Sequence, residues 1–142
     1  MGNKKSIVGK FKKLWPYYIL QTLLATFALL ILVFVFGKDR IVLISSMGAT
    51  AFIVFAMPTT ISAQTKNVIG GHLTALIIGA LFHMINMPYY VEFPLAVGIT
   101  IFLMVSLDVE HPPAGGTVLA VVVNEVSPYP LIFAYTAISA IL

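Results

Sequence analysis

Of 142 residues, 60% are apolar and 9% are charged, and the mean hydropathy is +1.03. A soluble domain is about 45–50% apolar and about 25% charged, so this chain has too few charges to cover its apolar surface in water, and a lipid bilayer fits it instead. The net charge of +3 is concentrated in one stretch, which argues against nucleic-acid binding, and with no cysteine there are no disulfides, no thiolate chemistry and no Cys-based metal site.

That stretch is the beginning of the chain. Lys4, Lys5, Lys10, Lys12 and Lys13 are five of the eight basic residues, and residues 1–14 read as a basic lead held in the cytoplasm by the positive-inside rule. The apolar run behind it is too long for a signal-peptide core and no small-residue cleavage site closes it. The first span is expected at Trp15 to Phe36, with Trp15, Tyr17 and Tyr18 as an interfacial belt. The second apolar run, Ile41 to Met57, contains Ser45, Ser46, Gly48 and Thr50 and stops at Pro58. A polar connector, Thr59 to Asn67, leads to a third span from Val68 to Met87, and Pro88 separates that from a fourth, Val91 to Leu107. A polar stretch from Asp108 to Thr117 follows, then a short apolar run, and finally Leu131 to Leu142, which is too short to span. The fold class is therefore all-α: a polytopic transmembrane helix bundle occupying residues 15–142.

The chain also resembles itself. Shifted so that Thr50 falls on Thr117, Gly48-Ala49-Thr50-Ala51-Phe52-Ile53-Val54 lies over Gly115-Gly116-Thr117-Val118-Leu119-Ala120-Val121. This divides the domain into halves, 15–87 and 88–142, each with an interrupted middle helix and the second with a truncated last helix. Three crossings per half would give the halves inverted topology, and paired interrupted segments mark a midplane transport site.

The interrupted segment of the second half has the richest chemistry. Pro112 and Pro113 suit a helix start. Gly115 and Gly116 allow close approach of a backbone or a ligand, and a half-helix from Ala114 would turn its free N–H groups and positive dipole end inward, as anion sites do. His111 adds a titratable donor and Thr117 a hydroxyl. Ser45, Ser46, Gly48 and Thr50 would face the same point from the other half; tight helix packing through small residues is the competing explanation. His72, one turn inside the third span, is a functional candidate because ionisable groups are rare there. Asp108, Glu110 and Glu125 cluster around the broken segment and are expected to bind the half-helix terminus, to pair with Lys66 or Arg40, or to carry protons, and Asp108 or Glu110 to raise the pKa of His111. Asp108, Glu110 and His111 do not have the spacing of a recognised metal site, and no motif of an enzyme or a phosphate loop is present. No metal, no cofactor and no catalytic role are expected.

Asp108-Val109-Glu110-His111-Pro112-Pro113-Ala114-Gly115-Gly116-Thr117 resembles the signature of the HPP family of integral membrane proteins. Ser46-Met47-Gly48-Ala49-Thr50-Ala51 with Pro58 resembles its other glycine segment. Ala63-Gln64-Thr65-Lys66-Asn67-Val68-Ile69-Gly70-Gly71-His72 is similar to its Ala-Gln-Pro-Arg-Asn-Val-Ile-Gly-Gly-His stretch. The likeness runs from about Trp15 to Leu142. The chain departs from the pattern at Thr65 for Pro, Lys66 for Arg, and Gly116 where many members have Ala. Lysine keeps the charge but loses the planar fork that suits an anion.

Members in chloroplasts and cyanobacteria are implicated in nitrite transport, so the resemblance implies passage of a small monovalent anion, with nitrite as one candidate. The substrate-binding set expected from both lines of reasoning is His111, Pro113, Gly115, Gly116, Thr117, Ser45, Ser46, Gly48, Thr50 and His72, with Lys66, Asn67, Asp108 and Glu110 attracting or gating the anion. The expected partners are the anion, the lipid bilayer and further copies of the chain, with no nucleic acid. The expected location is the plasma membrane of a prokaryote. A non-transporting membrane sensor or scaffold is the alternative.

Overall fold

The computed structural model describes residues 7–36, 39–85, 87–123, 127 and 130. Among them the chain forms five α-helices and no strand: α1 (Ile7–Phe36), α2 (Ile41–Ala56), α3 (Thr65–His83), α4 (Tyr89–Ser106) and α5 (Ala114–Val122), with a short 3-10 turn at Ile61–Ala63 before α3. Three are long and apolar enough to cross a membrane, over Lys12–Val35, Thr65–His83 and Tyr89–Ser106. At 1.5 Å per residue α2 rises about 24 Å, short of the ~30 Å hydrocarbon core, and α5 rises only about 13 Å.

The membrane-spanning part of the first helix, Lys12–Val35, lies close to the expected span of Trp15 to Phe36. A difference concerns Ser45 to Thr50, which are expected to interrupt the chain but lie inside the continuous helix α2. Proline, the residue that stops helices most strongly, is absent there. Ser45 and Thr50 each donate a hydroxyl proton to the carbonyl one turn back, Ile41 and Ser46 respectively, so their polar groups are satisfied without breaking the helix. Glu125 and the run Leu131 to Leu142 lie outside the described residues, and with that run the closing helix of the second half.

The helices pack around α5, the shortest of them, which contacts α2, α3 and α4. Ala114, Val118 and Val122 join Ala75, Ile78 and Phe82 of α3 and Ala96 and Met104 of α4 in one apolar cluster. On the other side Ala120 and Val121 meet Leu43 of α2 and Leu76 of α3. Gly79 makes this close packing possible: a Cβ there would stand 2.7 Å from the Val121 Cβ. By contrast α1 packs on α2, through which Gly48 faces Leu29, and its span is otherwise exposed along its length.

Candidate functional site: a histidine and hydroxyl cluster

The site is assembled by the turn at the end of α4. Asp108 has a left-handed backbone (φ 55°), its N–H bonds to the Val105 carbonyl, and the Val109 N–H bonds to the Met104 carbonyl at 2.9 Å. These two bonds make a Schellman cap, with aspartate standing where glycine is usual. The cap folds Val109 to His111 back against the start of α3. Gly70 and Gly71 receive them: added Cβ atoms would lie 2.7 Å from a Val109 methyl and 2.6 Å from the His111 Cβ. The two glycines therefore let His111 settle beside His72, the next residue of α3.

The two imidazoles are wholly buried, with ring centres 4.9 Å apart and planes tilted by 60°. Three hydroxyls join them. Thr50 Oγ1 of α2 lies 3.1 Å from His72 Nε2 and 3.0 Å from His111 Nε2. Thr117 Oγ1 of α5 lies 2.8 Å from His72 Nδ1 and 2.8 Å from Ser46 Oγ. Ser46 donates to the Pro113 carbonyl at 2.6 Å, and His111 Nδ1 donates to the Ser62 carbonyl at 2.8 Å. His72 thus bridges Thr50 and Thr117, the two threonines that the internal resemblance sets in register. Burial pushes the pKa of His111 below the usual histidine value, and the bond to the Ser62 carbonyl partly offsets this. Asp108 and Glu110 do not supply the upward push expected of them.

Other candidates occupy different places. Gly116 packs on Ser46, where a Cβ would stand 2.9 Å from the Ser46 Cβ, so Gly116→Leu would wedge α2 from α5 rather than merely block a ligand. Gly115 has nothing within 4 Å of the place a methyl group would take, and it faces a cleft of about 550 Å³ between α4 and α5. Val97, Ile101, Met104 and Leu119 give this cleft mostly apolar walls, and Glu110, His111 and Pro112 form its polar end. The amides of Ala114, Gly115 and Gly116 are not bare. They donate to the carbonyls of His111, Pro112 and Pro113, and the two prolines have no N–H to expose.

Ser45 is exposed and turned away from the cluster. Lys66 and Asp108 pair with each other at the surface. Asn67 is buried and ties the loop down by donating to the Glu110 carbonyl at 3.2 Å, while its Oδ1 has no hydrogen-bond partner among the described residues. Sequence reasoning missed Ser62, whose contribution is a backbone carbonyl and leaves no mark in side-chain chemistry. It also missed Val109, whose contact with Gly70 is a matter of shape.

Comparison with known proteins agrees with this architecture. The family model described as HPP, transmembrane region, matches residues 11–142. The chain belongs to the HPP transmembrane family. It is therefore an integral membrane protein, and the HPP signature corresponds to the cap, loop and start of α5 that build the cluster. Two curated relatives are transmembrane proteins of Dictyostelium discoideum. One is 36% identical over 87 residues, covering 58% of this chain and 30% of the relative. The other is 31% identical over 91 residues, covering 61% and 29%. The aligned region thus spans under a third of the length of these relatives. No solved structure matches the chain.

Proposed function

We propose that this HPP protein provides a path for a small monovalent anion, nitrite among the candidates, across the membrane. The observation that carries the reading is the cluster itself. Two imidazoles and the hydroxyls of Ser46 and Thr117 are buried together, with the half-buried Thr50 beside them, inside a chain that is otherwise strongly apolar, and polar groups at such a place are costly and mark substrate or proton paths. The sign of the charge follows from the donor set. No carboxylate joins the hydrogen-bonded cluster among the described residues, whereas a protonated imidazole offers a positive site, so an anion is favoured over a cation. The choice of nitrite rests on the family resemblance, and fold alone does not fix a substrate.

In this reading the protein does no covalent chemistry, lies in a prokaryotic plasma membrane with its basic lead in the cytoplasm, and assembles with further copies to seal the path. The test is uptake of nitrite, nitrate, formate and chloride into liposomes containing the purified protein. Uptake of at least one anion above protein-free liposomes is expected. Absence of uptake for all four would overturn the reading. It would favour the second reading, a sensor or scaffold in which the cluster is a static latch, since its bonds join α2, α3, α5 and the loop before α5 directly.

A further inference from the structure

We infer that Thr50, His72 and His111 form a binding site for one exchangeable proton, taken up on His111 Nε2, and that this proton travels with the anion. The coupling rests on the proposed function; the proton site does not.

Donor and acceptor capacity fixes the direction of each bond. The carbonyls of Ser62 and Pro113 only accept. His111 Nδ1 therefore carries a proton toward Ser62, and Ser46 uses its hydroxyl proton on Pro113. Ser46 Oγ must then accept from Thr117, 2.8 Å away. With that proton used, Thr117 accepts from His72 Nδ1, also at 2.8 Å. Both rings thus carry their proton on Nδ1, and both turn Nε2 toward the same hydroxyl, at 3.1 Å from His72 and 3.0 Å from His111. Thr50 has one proton to give, and besides the two rings it can give it to the Ser46 carbonyl of its own helix at 3.1 Å. Whether it goes to that carbonyl or to His72, His111 Nε2 faces an oxygen with no proton between them.

A proton added to the His111 Nε2 lone pair completes the chain. His111 then donates to Thr50, Thr50 to His72 Nε2, His72 Nδ1 to Thr117, Thr117 to Ser46, and Ser46 to the Pro113 carbonyl. Every donor then has an acceptor, and the only change of bonding is one N–H formed, with His111 becoming an imidazolium and the reverse step restoring it.

The groups around that charge are few. From α3, His72 faces it, and Lys66 is occupied by Asp108 at the surface. Its own loop contributes Glu110, on the wall of the cleft. Neither α2 nor α5 carries a charged side chain, the 3-10 turn offers only the Ser62 carbonyl, and Glu92 of α4 lies in its first turn, at the far end from the loop. Among the described residues the imidazolium therefore has no hydrogen-bonded carboxylate. A small anion in the cleft beside His111 supplies the opposite charge, and the two together cross as a neutral pair.

The experiment has two arms. Nitrogen NMR of the histidine-labelled protein in lipid nanodiscs, followed through a pH titration, reads the tautomers. Liposomes with an internal pH dye read proton and nitrite uptake together. The expected result is Nδ1–H on both neutral rings, uptake of the second proton by His111 alone, and one proton entering with each nitrite at a rate indifferent to membrane potential. Thr50→Val should abolish the response of the His72 signals to protonation of His111, and the proton uptake, and Thr50→Ser should restore both. A neutral ring with its proton on Nε2, or nitrite uptake driven by potential with no proton uptake, would overturn the inference. Failure of every anion to enter removes the transport reading, and the tautomers and titration in the wild-type protein then decide the proton site by themselves.

Discussion

A methyl group added at Gly71 would stand 2.6 Å from the His111 Cβ and 3.2 Å from the Val109 carbonyl oxygen. Neither neighbour is the free end of a flexible chain. Gly71→Ala is therefore expected to lower stability by about 1–3 kcal/mol, the usual cost of overpacking, and to move His111 away from His72. Gly115→Ala provides the contrast. Nothing lies within 4 Å of its methyl position, and alanine is favoured over glycine in a helix by about 0.5–1 kcal/mol. Thermal unfolding in detergent should show a lower midpoint for Gly71→Ala and an equal or higher one for Gly115→Ala; equal midpoints for the two would contradict the packing described.

The cluster was partly legible at this scale. His72, His111, Ser46, Thr50 and Thr117 stand out in the sequence because polar residues are rare in so apolar a chain, and four elements bring them together. Ser45 stands out for the same reason yet points away. Its neighbours explain why: Leu43, Ser46, Met47 and Thr50 follow helical spacing, and Leu43 and Ser46 are buried along that stripe while Ser45, one residue round the helix, is exposed. That periodicity was available in the sequence, but it is informative only if α2 is continuous.

Among the elements, α2 depends on Ser46 for its polar contact with α5. Ser46→Ala leaves the Thr117 hydroxyl without its acceptor and the Pro113 carbonyl with the Gly116 N–H but no hydroxyl donor, and a buried polar group left unmade costs about 1–3 kcal/mol. The unfolding midpoint should fall accordingly, and an unchanged midpoint would show that water or another group replaces the hydroxyl. Helices α3 and α4 were readable to within a few residues because long apolar runs bounded by Pro58 and Pro88 leave little choice. The loop before α5 was readable as non-helical from Pro112 and Pro113, but its inward amides were not. In the structure those amides are taken up by the carbonyls of the same loop, a pairing that depends on φ and ψ rather than on residue type.

For the whole molecule, the basic lead is expected to set the orientation. With five lysines before the first span, residue 2 is expected on the cytoplasmic side and residue 39 on the other. Gly2→Cys and Asp39→Cys, in a chain that has no cysteine of its own, should be labelled from opposite faces by an impermeant thiol reagent. Labelling of both from one face would mean that α1 does not cross.

The absence of charge on most of this surface was the clearest signal in the sequence, since no other medium than lipid suits it. The relation between the halves was not legible to the same degree. Only a short stretch repeats, and what the structure adds is one contact, His72 between Thr50 and Thr117.

If the cluster lies on the path of an anion, as proposed, His111 is the residue on which passage turns. Nitrite uptake into liposomes should be compared between wild type and His111→Ala across a range of pH, at equal protein in the membrane. Wild-type uptake should be faster as pH falls, because acid supplies the proton that His111 Nε2 receives, and uptake by the variant should be slower and indifferent to pH. Uptake by His111→Ala at the wild-type rate and with the wild-type pH profile would contradict that proposal.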